Sequence, residues 1–450
     1  MSFLAAARAR LDLAEPTEVT GRVAALRGLS LLVDDLAAGV GSLVRVGAAA
    51  EHRLGEVVGF DRGRAIVMLL GGSTGIRPGD RVMLVSSHPW IGVSRSLMGR
   101  VVNALGQPID SGPAIVDAHP RPLLPGPMSA MRRPPIHTRL QTGVRAMDIA
   151  TTVGRGQRLG IFAGPGVGKS TLLSMLARNT DADAIVIAMI GERGREVRDF
   201  IEHALGEAGM RRTVVVVATS DESPLMRVRA AHAAATIAER YRDEGSDVLL
   251  MVDSITRFAH AQRQIGLAVG EPPATRGYTP SVFAALPVLL ERAGTAEPKR
   301  LGERAGSITA FYTVLVEGDD LTEPITDAVR GILDGHIILS RTLAQQGHFP
   351  AIDVLDSVSR LADTVAAKDH IEHRRELVRL ISAYRQVEEL VQIGAYSAGS
   401  NPRADKAIAL KARMDALLAQ RVDEPATFAD SITRLREIVT APVAPAGGRR

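Results

Sequence analysis

Between residues 18 and 96, short apolar stretches alternate with turn residues at close, even spacing. Residues 21–26, 30–33, 42–46, 53–60, 64–69 and 81–84 read as six strands, punctuated by Asp61-Arg62-Gly63 and Arg77-Pro78-Gly79-Asp80. Such spacing predicts a small β-barrel over 18–96. Eight prolines fall between Pro108 and Pro135, so 108–135 is neither regular helix nor central strand and reads as a linker. The rhythm then changes. From about 138 to 363, near-continuous apolar runs at 157–162, 184–189, 213–218, 248–252 and 307–315 alternate with helical stretches such as 224–244. Runs of that kind fit a parallel sheet covered on both faces, hence a doubly wound α/β domain over 97–363. Beyond 364 the period becomes helical, with Leu377, Leu380, Tyr384, Val387 and Val391 on one face. Gly394 to Pro402 interrupts it, and two shorter helices complete a helical domain over 364–440. Residues 1–17 form a separate N-terminal segment and 441–450 a disordered tail. No internal repeat is present.

Composition narrows the class. At 450 residues the chain suits about three domains. Only 3% of residues are aromatic, so the cores rest on Ala, Val, Leu and Ile. A net charge of +4 is small for this length and points to no specific nucleic-acid partner. Cysteine is absent, which removes disulfides, thiolate metal sites and cysteine nucleophiles. No apolar stretch approaches the ~18 residues needed to span a bilayer, and no secretory apolar region opens the chain. A cytoplasmic location is expected, with room for peripheral membrane contact.

The candidate chemistry centres on one run. The apolar strand at 157–162 passes through Ala163 into Gly164, Pro165, Gly166, Val167, Gly168, Lys169, Ser170 and Thr171, and a helix-forming Leu172-Leu173-Ser174-Met175-Leu176 follows. Strand, glycine-rich loop, Lys-Ser and helix are the layout of a P-loop, although its first glycine position is Ala163. Backbone N–H groups and the helix's positive end wrap phosphates, Lys169 reaches the β- and γ-phosphates, and the Ser170 hydroxyl ligates Mg²⁺. The chain therefore reads as a binder of nucleoside triphosphate in an α/β, RecA-like core. Mg²⁺ needs an acidic partner at the end of a neighbouring apolar strand, and Asp253 closes the run 248–252. Hydrolysis needs a group to orient the attacking water. Glu192 lies at the carboxyl end of the strand at 184–190, where α/β sites form, but spacing alone leaves Glu196 and Glu202 open.

Longer motifs add a resemblance over nearly the whole length. Gly154-Arg155-Gly156-Gln157-Arg158, Gly191-Glu192-Arg193, Asp253-Ser254-Ile255-Thr256-Arg257 and Pro350-Ala351-Ile352-Asp353 leading to Ser357-Val358-Ser359-Arg360 resemble the catalytic subunits of rotary ATP synthases. Gly277-Tyr278-Thr279-Pro280-Ser281-Val282-Phe283 and Gly306-Ser307-Ile308-Thr309-Ala310-Phe311-Tyr312 resemble the type III export ATPases, most closely the flagellar ones. The resemblance implies Mg²⁺-dependent ATP hydrolysis that energises protein export and substrate unloading. Glu192 then matches the glutamate that polarises water and Arg193 the arginine beside it. Arg257 matches a phosphate-side arginine, Phe349 the aromatic that stacks on adenine, and Arg360 an arginine finger.

In the rotary synthases the stacking aromatic and the finger belong to different subunits, whereas Phe349 and Arg360 share this chain. One polypeptide thus supplies a pocket and the finger for its neighbour's pocket, which requires a ring of like subunits, most simply a homohexamer. The resemblance also implies a central stalk protein, an export gate, chaperone–substrate complexes and a stator-like regulator that meets residues 1–17. The segment 277–280 is either a pore-facing loop or a turn. A proton-coupled synthase subunit is disfavoured because both roles fall in one chain and 277–283 is export-like, and two other readings compete. An injectisome ATPase shares every motif. A Rho-like RNA-translocating hexamer shares the Gly-Gln-Arg lead-in and Asp-Ser-Ile-Thr-Arg, but residues 1–96 offer only Phe3, Phe60 and Trp90 as stacking aromatics.

Overall fold

The computed structural model describes residues 18–47, 52–298, 304–316, 318 and 320–442. The expected N-terminal segment 1–17 lies outside these, as does all but the start of the expected tail 441–450. Six strands, Thr20–Arg27, Ser30–Asp34, Leu43–Val46, Arg53–Asp61, Arg64–Leu69 and Arg81–Ser86, form a closed barrel. Around it they run first, second, fifth, fourth, third, sixth, and the sixth closes antiparallel on the first. Val23, Leu31, Val33, Val44, Val46, Val57, Val67 and Val82 fill the interior. Small branched residues suit so narrow a lumen.

The proline-rich stretch contains no regular helix. Its one short strand, His119–Pro122, pairs with Trp90–Val93 in an isolated two-stranded sheet.

The α/β domain is built on a sheet of nine strands, four more than the apolar runs predict. Its order is Ile352–Ser359, Gly335–Leu339, Arg158–Ala163, Ser307–Leu315, Asp247–Asp253, Ala184–Ile190, Thr213–Ala218 and Val101–Asn103, and Gly294–Thr295 pairs off this path with Ser307–Leu315. The path is parallel except for Ile352–Ser359, which pairs antiparallel at one edge. The extra strands escape the pattern for physical reasons. Gly335–Leu339 alternates buried and half-buried positions, and Ile352–Ser359 carries Asp353 and Asp356.

One face of the sheet is covered by helices Pro224–Arg242, Ile255–Ala268, Pro280–Leu290 and Pro324–Ile332. The other face carries Arg145–Ala150, Lys169–Asn179 and the three helices of the C-terminal domain, Lys368–Gln392, Pro402–Leu418 and Phe428–Val439. Leu377, Leu380, Leu410, Met414, Leu417 and Leu435 share one apolar cluster with Leu140, Ile161, Leu172 and Ile352. The helical domain is therefore continuous with the core on the face that bears the P-loop helix. Tyr278, in the segment 277–280, is buried, stacked on His260, and its hydroxyl donates to Glu323 at 3.2 Å. No helix among the described residues is long and apolar enough to cross a membrane.

Candidate active site

Burial fixes the strand that delivers the P-loop. Leu159 to Ala163 are all buried between Ser307–Leu315 and Gly335–Leu339, so the chain leaves the sheet at Gly164 with little freedom. The loop turns at Gly166 (φ +77°) and Gly168 (φ +97°), left-handed positions that favour glycine. Helix Lys169–Asn179 then starts without a side-chain cap, and its first intrahelical bond is Leu172 N–H to Gly168 O at 3.0 Å. The N–H groups of its first turn are left for an anion.

Lys169 gathers the acidic groups. Its Nζ lies 2.5 Å from Asp253 Oδ1 and 3.4 Å from Glu192 Oε1. Burial pushes the ammonium pKa down, but the two carboxylates outweigh it and hold it above its ordinary value. The sheet order makes this reach necessary. Asp253 was expected on a strand neighbouring the P-loop strand, yet Ser307–Leu315 runs between the two. Thr313 on that intervening strand donates to Asp253 Oδ1 at 2.7 Å and orients it.

Glu192 follows Ala184–Ile190 at the same end of the sheet. Burial raises its pKa; Lys169 opposes this, while Asp253 and a hydrogen bond with Glu196 add to it. Glu196 lines the same cleft of about 460 Å³ with Ser170, Thr171, Glu192 and Asp253, whereas Glu202 faces solvent in an ion pair with Arg198 at 2.7 Å. Of the three candidate glutamates, Glu192 alone meets Lys169. The Arg257 side chain lies against the Gly191 backbone, with its Nε buried and unpartnered among the described residues. Arg193 is exposed at the start of helix Gly194–Asp199.

Phe349 is 42% exposed and its ring flanks the P-loop: a Cβ built on Gly168 would meet it at 3.5 Å. A second cleft, of about 740 Å³, opens there between Thr171, Gly347, Phe349 and residues 419–424. It meets the first cleft at Thr171 and Val422. The sequence gives no sign of this second wall, because residues 419–424 belong to the helical domain and carry no phosphate-type motif.

Arg360 lies elsewhere. Its backbone N–H donates to Asp334 O at 3.0 Å, and Asp334 pairs with Arg158 at the amino end of the P-loop strand. The five-residue rise to Ala163 is roughly 16 Å. The exposed Arg360 thus sits at the opposite end of the sheet from its own P-loop, beyond the reach of one side chain.

Residues 143–359 match the nucleotide-binding domain of the ATP synthase alpha/beta family, residues 27–84 its beta-barrel domain, and residues 366–437 the C-terminal domain of the EscN ATPase of type III secretion. The chain is 51% identical to a flagellum-specific ATP synthase of Treponema pallidum, over 94% of this chain and 93% of that one. It is 44% identical to a type 3 secretion system ATPase of Pseudomonas syringae pv. tomato, over 96% of both. Among solved structures it is similar to the assembled ATPase EscN of enteropathogenic E. coli, with a TM-score of 0.88 and 41% identity over 93% of this chain and all of that one. EscN has also been solved in complex with its central stalk EscO, to which this chain aligns with a TM-score of 0.85, 40% identity and coverage of 93% of this chain and 100% of that one.

Proposed function

The chain belongs to the ATP synthase alpha/beta family, in its branch of flagellar and type III secretion export ATPases, and on that premise we propose how its residues hydrolyse ATP and why a ring is needed. The RNA-translocating reading falls away with that membership. The flagellar system is favoured over the injectisome, since flagellar relatives are 47–51% identical and the secretion relatives 44%.

The observation that carries the reading is Lys169 bridging Asp253 and Glu192 beside an uncapped helix start. Lys169 is a charged clamp for the β- and γ-phosphates, and the loop N–H groups hold their oxygens. The Ser170 hydroxyl and the Asp253 carboxylate, hard oxygens on one cleft, fit Mg²⁺, which when bound neutralises charge between the β- and γ-phosphates. Glu192 accepts a hydrogen bond from the attacking water and aligns it with the γ-phosphorus. The new P–O bond forms as the bond to ADP breaks. Arg257 supplies positive charge beside the phosphates, Arg193 is the arginine next to Glu192, and Phe349 stacks on the base.

Arg360 is the finger of the neighbouring copy, because its own P-loop is at the far end of the sheet. Such a finger is worth roughly 10³–10⁵ in kcat. A head-to-tail ring brings each finger to the next pocket, the solved structure of EscN is of an assembled ATPase, and a central stalk of the kind seen with EscN is the expected partner. A stator-like regulator, export gate, chaperone–substrate complexes and an anionic membrane surface complete the proposed setting.

Two substitutions test the site. Lys169→Ala should abolish ATP binding, read by equilibrium titration of ADP or ATP. Glu192→Gln should bind ATP with unchanged affinity and lose turnover by about 10²-fold or more. Normal turnover by Glu192→Gln would overturn the role given to Glu192.

A further inference from the structure

The second wall of the nucleotide cleft is fastened to the core by a buried set of hydrogen bonds. Arg145, at the start of helix Arg145–Ala150, is 2% exposed. Its guanidinium donates to Leu417 O at 3.3 Å and Ala419 O at 3.0 Å, and it is ion-paired with Glu424. Its backbone N–H donates to Gln420 Oε1 at 2.8 Å. Gln420 is 4% exposed, and its Nε2 donates to Gly143 O and to Glu424 O, both at 2.9 Å. Its own backbone N–H donates to the carbonyl of Phe349 at 2.9 Å. Both amide hydrogens of Gln420 are therefore spent inside the protein, so this side chain has no donor left with which to read a base.

We infer that Arg145, Gln420 and Glu424 form a latch that positions residues 419–424 opposite Phe349, and so set the affinity of the site for the nucleoside part of its substrate. The inference rests on the nucleotide reading of the P-loop and deepens it. The three act through the loop they hold and are positioning residues. The P-loop, Lys169, Glu192 and Asp253 are carried by other elements, and of residues 419–424 only Val422 lines their cleft, so loosening the latch leaves the groups that hold the triphosphate in place.

The test compares a ligand with a nucleoside to one without. Full-length Gln420→Ala is assayed at a protein concentration where the specific activity of wild type has levelled off. The KM for ATP should rise about tenfold while kcat at saturating ATP stays within about twofold, since two hydrogen bonds that fasten the loop to the core and one within the loop are lost, and none to the phosphates. Inorganic tripolyphosphate, used as a competitive inhibitor, should keep its inhibition constant. An unchanged KM overturns the latch, and so does an equal weakening of ATP and tripolyphosphate, which would mean general damage to the site. If wild-type protein hydrolyses no ATP, the nucleotide reading itself fails, and the two failures are thereby told apart. Should Gln420→Ala not fold, Glu424→Gln replaces it. That residue is one-third exposed, and the change should raise KM about threefold with the same selectivity, no rise being the contrary result.

Discussion

Glu192 shows how a single side chain is tuned by its surroundings. Burial and the nearby Asp253 carboxylate both disfavour its ionised form, the hydrogen bond with Glu196 does the same, and Lys169 is the one cation that opposes them. In the proposed mechanism the working form is the carboxylate, so activity is lost as pH falls through that raised value. The acid limb of kcat should therefore lie above 4.5, the ordinary glutamic acid value. A rate still level at pH 4.5 would contradict this account. The candidate site at this scale was legible where residues follow one another: the P-loop, the acid closing a strand, Gly191-Glu192-Arg193. The choice among Glu192, Glu196 and Glu202 was not, because it depends on which carboxylate faces Lys169 across the sheet. Nor was the latch, since Arg145 and Gln420 are 275 positions apart.

Among elements, the barrel is joined to the α/β domain by a buried charge pair. Arg229 on helix Pro224–Arg242 lies 2.6 Å from Glu56 of the barrel, with the two side chains 4% and 13% exposed. Ser223 Oγ, which caps the same helix, also donates to Leu70 O at 3.0 Å. Removing one member of such a pair leaves a buried, unpaired charge. Glu56→Ala should thus cost about 3–5 kcal/mol in denaturant unfolding, while Glu56→Leu with Arg229→Met should recover most of it. A double variant no more stable than the single would argue against the charge as the cause. The helix and its fully apolar neighbouring strands were readable from periodicity. The strands that extend the sheet to its edges were not, for Val101–Asn103 is three residues long and Ile352–Ser359 mixes charge into its run.

At the scale of the molecule, the proposed mechanism divides its residues between the two ends of one sheet. The P-loop, Glu192, Asp253 and Phe349 gather at the carboxyl end of the strands, and Arg360 stands at the amino end beside Asp334 and Arg158. On the proposed roles, a lone chain holds both parts and cannot bring them together. That both motifs occur in one polypeptide was visible in the sequence, and it already called for a ring. The distance that forbids self-completion is a property of the sheet order, which no local pattern encodes. The most direct test mixes two inactive proteins. Arg360→Ala keeps an intact pocket and lacks the finger, whereas Glu192→Gln keeps the finger and lacks the group that aligns water. Each alone should hydrolyse ATP at a small fraction of the wild-type rate. Mixed at concentrations where rings form, they should regain activity at pockets where an intact Glu192 meets an intact Arg360 from the adjacent subunit. Rings shown to contain both variants, yet no more active than either alone, would contradict a finger supplied in trans.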